Sequence, residues 1–200
     1  MLEVKQISPD IVLLLLDLEA FSAQNGHIKG RECETLATQY TLKHYFKDEM
    51  PELRYTEHKQ PYLEHRQEYI SISHSHQKLA IILNRKEPTG IDIELIRDKV
   101  KAIQHKFLNE EELMNVKDNT EQLILYWAAK EALYKVYGKK ELEFARHIRI
   151  HRVSGEIIHG SVQKNDFVKH FKLHHSKLDQ YIMVYHLHEI HYSDKTAPGR

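Results

Sequence analysis

The chain has 200 residues, enough for one large domain or two small ones whose core needs no metal or disulfide staple. Lys plus Arg and Asp plus Glu both number 29, so the net charge is zero and the basic excess usual for a nucleic-acid binder is missing. A single cysteine, Cys33, excludes an intrachain disulfide and a thiolate zinc site.

Residues 1–6 fit a short strand. Ser8-Pro9-Asp10 predicts a helix start, with Ser as N-cap, Pro at the first position and an acid in the first turn. That helix is expected to run to about Gln24, where Asn25-Gly26 ends it. The apolar run at 11–16 is far short of the ~20 residues that span a bilayer. It also lacks the basic flank and cleavage site of a signal peptide, so a soluble, cytoplasmic chain without membrane contact is expected.

A second helix is predicted over 30–46, with Cys33, Leu36, Ala37 and Tyr40 on one face. The middle changes character. Ile70-Ser71-Ile72-Ser73 alternates at period two, residues 79–83 form an apolar run, and Pro88-Thr89-Gly90 is a turn before a third strand at 91–96. These three strands are expected in an antiparallel meander or one sheet. Helices follow at about 99–107, at 109–116 with Asn109 as N-cap and Glu112 at N3, and at 120–137 before Gly138. Strands return at 148–153, 157–162, 168–173 and 181–187, with a hairpin turn at Ser154-Gly155. Residues 193–200 are polar, and a frayed tail is expected there. The order lacks a βαβ rhythm, so the expected class is α+β, with an N-terminal half at 1–95 and a C-terminal half at 96–192.

Chemistry-bearing residues concentrate in the middle. Asp92 and Glu94 stand at i and i+2, on one face of a strand whose other members are apolar. Two acids on such a face repel each other and lose solvation, which a hard divalent cation such as magnesium relieves. The same alternation also describes a half-exposed strand with two acids in solvent. Glu131 and Lys135 are helix neighbours at i and i+4, the spacing of a site pair or of an ordinary surface ion pair. Ser73-His74-Ser75 closes a strand with groups suited to phosphate or to a polar strand exit. Histidine is frequent, at 16 residues, but no zinc-type spacing is present, and the adjacent His174 and His175 point apart on a strand.

Taken in order, these pieces resemble the 4′-phosphopantetheinyl transferase superfamily. The pattern is Gly90-Ile91-Asp92-Ile93-Glu94, followed by Trp127-Ala128-Ala129-Lys130-Glu131-Ala132-Leu133-Tyr134-Lys135. Upstream stands the Ser-His-Ser element at Ser73-His74-Ser75, and between the two motifs lies Phe107-Leu108-Asn109-Glu110-Glu111-Glu112. The resemblance covers about residues 30–138, and the length is similar to the longer, surfactin-synthetase-activating type, with two pseudo-symmetric halves in one chain. Lys59-Gln60-Pro61 stands where that family usually has Gly-Lys-Pro, and Gln39 stands where it often has arginine.

The resemblance implies a magnesium-dependent transfer of phosphopantetheine from coenzyme A to a serine of an acyl or peptidyl carrier protein. Asp92, Glu94 and Glu131 would hold the metal. Glu131 would take the serine proton, directly or through water, and Lys135 would neutralise phosphate charge. Ser73, His74, Lys59, Arg31 and Lys43 would contact coenzyme A. The site would lie between the halves, so a monomer is expected. A non-catalytic relative that binds coenzyme A or a carrier protein is the alternative.

Overall fold

The computed structural model describes residues 1–139 and 141–191. The chain begins with the hairpin β1 (Leu2–Ser8) and β2 (Ile11–Asp17), then α1 (Leu18–Gln24) and α2 (Gly30–Phe46). A small hairpin, β3 (Leu53–Tyr55) and β4 (Pro61–Leu63), leads to β5 (Tyr69–Ser75), β6 (Lys78–Asn84) and β7 (Ile91–Leu95). A 3₁₀ turn at Asp98–Ile103 runs into the short α3 (Gln104–Phe107) and α4 (Glu110–Val116), followed by α5 (Thr120–Tyr137) and α6 (Phe144–His147). Four strands close the described chain: β8 (Ile148–Ser154), β9 (Ile157–Lys164), β10 (Phe167–Leu178) and β11 (Tyr181–Ile190). The fold is α+β, as expected. The tail expected at 193–200 lies outside the described residues.

The strands form two main sheets, ordered β1-β2-β6-β5 and β7-β11-β10-β9-β8. Three apolar cores hold the layers together. Val12, Leu14, Leu79 and Ile81 pack on Ala37 and Leu42 of α2. Ile11, Leu13, Ala80 and Ile82 pack face to face with Ile91, Ile93, Met183 and Tyr185 of the second sheet. The outer face of that sheet, including Ile150, Ile158, Leu173 and Val184, packs on Leu123, Ala129, Ala132 and Leu133 of α5. Each of the two main sheets therefore packs one long helix on one face, and the sheets meet back to back on the other.

Two sequence expectations are overturned. Where a helix was expected from Ser8, the chain turns at Pro9-Asp10 and returns as β2, and helix starts only at Leu18. The cause is the unbroken apolar run at 11–16. As a central strand between β1 and β6, β2 buries one face on α2 and the other on the second sheet, so it shows no alternation. Asp17, not Ser8, supplies the N-cap, accepting the Ala20 N–H at 2.8 Å.

The three middle strands also do not form one sheet. β5 and β6 pair, but β7 pairs with β11 and joins the C-terminal sheet. On α2, only Cys33 and Ala37 of the predicted face are buried, while Leu36 and Tyr40 are substantially exposed and face a cleft. By contrast α5 begins and ends where predicted. Asn119 caps it by accepting the Gln122 N–H, and Gly138 leaves it in the left-handed region at φ 70°.

Candidate active site

β7 alternates as its sequence requires. Ile91 and Ile93 point into the core between the sheets, so Asp92 and Glu94 point the other way, toward α5. Their cross-strand partners on β11, Val184 and Ile182, belong to the α5 core. Gly90 makes this approach feasible. A Cβ there would lie 2.0 Å from the Ala132 carbonyl oxygen, so any side chain would push α5 off β7.

Across this junction α5 brings Trp127, Glu131 and Lys135 to the acids. Lys135 Nζ donates to Asp92 Oδ1 and to the Ile91 carbonyl, both at 2.8 Å. Trp127 Nε1 donates to Glu94 Oε1 at 3.1 Å. Glu131 has no hydrogen-bond partner among the described residues. Burial pushes its carboxyl up to about 7, the negative Asp92 and Glu94 add to this, and Lys135 opposes it. Glu94 is also raised, first by burial and then by Asp92, while Trp127 and Ser75 hold it back. The three acids thus feel one another, and Asp92 is 4% exposed. Its Oδ2 is buried with no hydrogen-bond partner among the described residues.

An orphaned carboxylate oxygen beside two further acids is a donor set that suits a hard divalent cation. The side chains do not converge as they stand. Among the described residues, no group of three or more His, Cys, Asp or Glu side chains is placed to hold a metal ion.

A cleft of about 1210 Å³ opens beside this cluster, between α2, the β3–β4 hairpin, the exit of β5 and the end of α5. Lys135 lines it and bonds Asp92, so it joins the cleft to the acids. Arg31, Lys43, Lys59 and His74 also line it. His74 Nδ1 lies 3.3 Å from Glu34 Oε1 on α2. Ser73 is not brought to the cleft. Its hydroxyl is buried, donating to Asp92 Oδ1 at 2.8 Å and accepting the Ile93 N–H at 3.3 Å.

The Lys59-Gln60 departure has a local basis. Lys59 lies at φ 63°, in the left-handed region where the resembling motif has glycine. Gln60 is committed to the end of α5. Its carboxamide reaches the Lys135 carbonyl at 3.5 Å, and its Oε1 would lie 2.6 Å from a Cβ at Gly138.

Residues 88–186 match the model of the 4′-phosphopantetheinyl transferase superfamily. The matched stretch begins just before β7 and ends in β11, so it contains both acid-bearing elements and the strand that pairs with β7. The phosphopantetheinyl transferase match leaves out α2 and the β3–β4 hairpin, which supply much of the cleft. No curated protein matches the chain. Among the described residues, no helix is long and apolar enough to cross a membrane.

Several participants are not evident from spacing alone. Lys130, the residue before Glu131, is fully buried and donates to Glu112 Oε2 at 2.6 Å, to the Ile148 carbonyl at 2.7 Å and to the Phe144 carbonyl at 3.2 Å. Glu112 also accepts the N–H groups of Asn109 and Ile150. The predicted capping box at Asn109 and Glu112 was the available signal, since a buried N3 acid calls for a cation. Thr89 lines the cleft with a buried hydroxyl that has no partner among the described residues, and nothing in its local sequence marks it out.

Proposed function

We propose that this chain is a phosphopantetheinyl transferase of the longer, two-halved type, moving the 4′-phosphopantetheine arm of coenzyme A to a serine of an acyl or peptidyl carrier protein. One observation carries the reading. A buried acid with an orphaned oxygen and two half-buried acids adjoin a basic-walled cleft, and Lys135 belongs to both. The superfamily match over 88–186 supports it.

In this reading Asp92, Glu94 and Glu131 hold a divalent cation, magnesium by preference for oxygen donors. Such an ion would neutralise the pyrophosphate oxygens of coenzyme A. Glu131 has no competing hydrogen bond and can turn toward it. Arg31, Lys43, Lys59 and His74 bind phosphate groups in the cleft, at the polar end of coenzyme A. Ser73 acts on the site through Asp92.

The reaction is a displacement at phosphorus. The carrier serine oxygen forms a bond to the phosphorus that bears the pantetheine arm. The bond from that phosphorus to the oxygen bridging to the adenosine phosphate breaks, and adenosine 3′,5′-bisphosphate leaves. The serine proton passes to Glu131 or to a water that Glu131 orients. Lys135 faces the negative charge that grows on the leaving phosphate. Positioning and electrostatics carry most such transfers.

Intact-mass spectrometry tests this. An apo carrier protein incubated with the chain, coenzyme A and magnesium should gain about 340 Da, the phosphopantetheine arm replacing a serine proton. Chelator or Asp92→Ala should abolish the gain. No gain on acyl and peptidyl carriers alike, with the chain folded, would overturn the transfer. Binding of coenzyme A under those conditions would instead support the non-catalytic relative, which the commitment of Gln60 to α5 favours.

A further inference from the structure

β5 places a serine at every second position, Ser71, Ser73 and Ser75, so their side chains share one side of the strand. The backbone of β5 pairs with β6, and that of β7 pairs with β11. Where β5 and β7 lie side by side, the serine hydroxyls substitute for a backbone ladder. Ser71 Oγ accepts the Ile91 N–H at 3.1 Å, Ser73 Oγ the Ile93 N–H at 3.3 Å, and Ser75 Oγ the Leu95 N–H at 3.3 Å. These contacts satisfy N–H groups that would otherwise be buried without acceptors.

A hydroxyl that accepts an N–H must send its own proton elsewhere. Ser73 sends it to Asp92 Oδ1 at 2.8 Å, and Ser75 sends it to Glu94 Oε2 at 3.2 Å. Ser71 makes the backbone contact alone. The first sheet thereby sets the orientation of acids carried by the second sheet. On Asp92, Ser73 and Lys135 together saturate Oδ1, and Oδ2 is left buried and bare. On Glu94, Trp127 and Ser75 each take one oxygen.

We propose that the serines of β5 form a hydroxyl ladder that aims the β7 acids, and that Ser73 is a positioning residue which leaves Asp92 Oδ2 as the oxygen presented to a divalent cation. This rests on the cation reading of the proposed function. Partners that orient a metal-bound carboxylate typically change metal affinity by 10- to 100-fold when removed. Ser71 supplies an internal control, because it shares the backbone contact but touches no acid.

The test is binding of Mn²⁺ alone to the full chain, read as loss of the free-ion electron paramagnetic resonance signal. Wild type should bind, and Ser73→Ala should weaken binding about tenfold or more. Ser73→Thr should restore it, Ser71→Ala should stay within about twofold of wild type, and Ser75→Ala should fall between, since Glu94 keeps Trp127. Thermal unfolding should show a larger loss for Ser73→Ala than for Ser71→Ala, since Ser73 gives up its bond to Asp92 as well as its acceptor. Equal Mn²⁺ affinity for those two variants would overturn the ladder while leaving the cation reading intact. If wild type binds no Mn²⁺, the cation reading falls and the ladder's role with it. If Ser73→Ala does not fold, Ser75→Ala decides, and an affinity equal to that of Ser71→Ala overturns the proposal.

Discussion

Lys130 and Glu131 are neighbours on α5, yet their surroundings are opposite. Lys130 is sealed at 0% exposure with three acceptors, and its partner Glu112 is 1% exposed with both oxygens engaged. On the other side of the helix, Glu131 faces Asp92 and Glu94 with a single cation, Lys135, among three acids. The first arrangement is closed: every charge has its counter-charge and its hydrogen bonds. The second is short of positive charge and of donors. A buried ion pair that is complete fixes one structure, whereas an incomplete one holds a deficit that a ligand can fill. The contrast separates a charge pair complete in itself from charges left without full compensation.

The comparison is broken most severely by opening the closed side. Lys130→Met leaves Glu112 charged, buried and without its cation, so the expected loss is about 3–5 kcal/mol in denaturant unfolding. Adding Glu112→Gln removes the stranded charge and should recover part of that loss. If Lys130→Met unfolded like wild type, the pair would not clamp α5 to α4 and β8.

His186 sharpens the point with a different ion. It is 0% exposed, its ring nitrogens make no hydrogen bond of normal geometry among the described residues, and burial pushes it down to about 4 from 6.5, with the His188 backbone offsetting this in part. The unfolded chain binds a proton between those values that the folded chain refuses. Stability should therefore fall as pH drops from about 6.5 to about 4, by roughly 3 kcal/mol. His186→Phe should flatten that slope in pH-dependent unfolding. A smaller effect is expected at the foot of the clamp. Asn109→Ala removes the acceptor of the Glu112 N–H and should cost about 1 kcal/mol, with a lower melting temperature and unchanged metal affinity.

Local signals in the sequence were strong where one periodicity or one cap decides the element. The α5 boundaries, the Asn109 capping box and the alternation that aims Asp92 and Glu94 at α5 all follow from short-range rules. The failures came where tertiary burial decides. The run at 11–16 lacks strand alternation because both of its faces are covered, and a Ser-Pro-Asp triplet that reads as a helix start serves as a turn. The partner of β7 is β11, about 90 residues away, and no local pattern specifies that pairing. The same limit hid the contact of Ser71, Ser73 and Ser75 with β7. Their alternation with isoleucine is visible, but the edge of β7 that they satisfy exists only after the two sheets have met.

The most direct measurement is the unfolding free energy of wild type and Glu131→Gln at pH 8, each with and without magnesium. Glu131 is raised to about 7 from 4.5, so the proton it gains on folding favours the native state at low pH. That contribution is lost as pH rises through about 7, leaving a strained charge at pH 8. Without magnesium, Glu131→Gln should therefore be more stable than wild type, by up to about 3 kcal/mol. Magnesium should stabilise wild type and have much less effect on the variant. A variant less stable than wild type in both buffers, with magnesium stabilising neither, would contradict the view of this cluster as an open cation site.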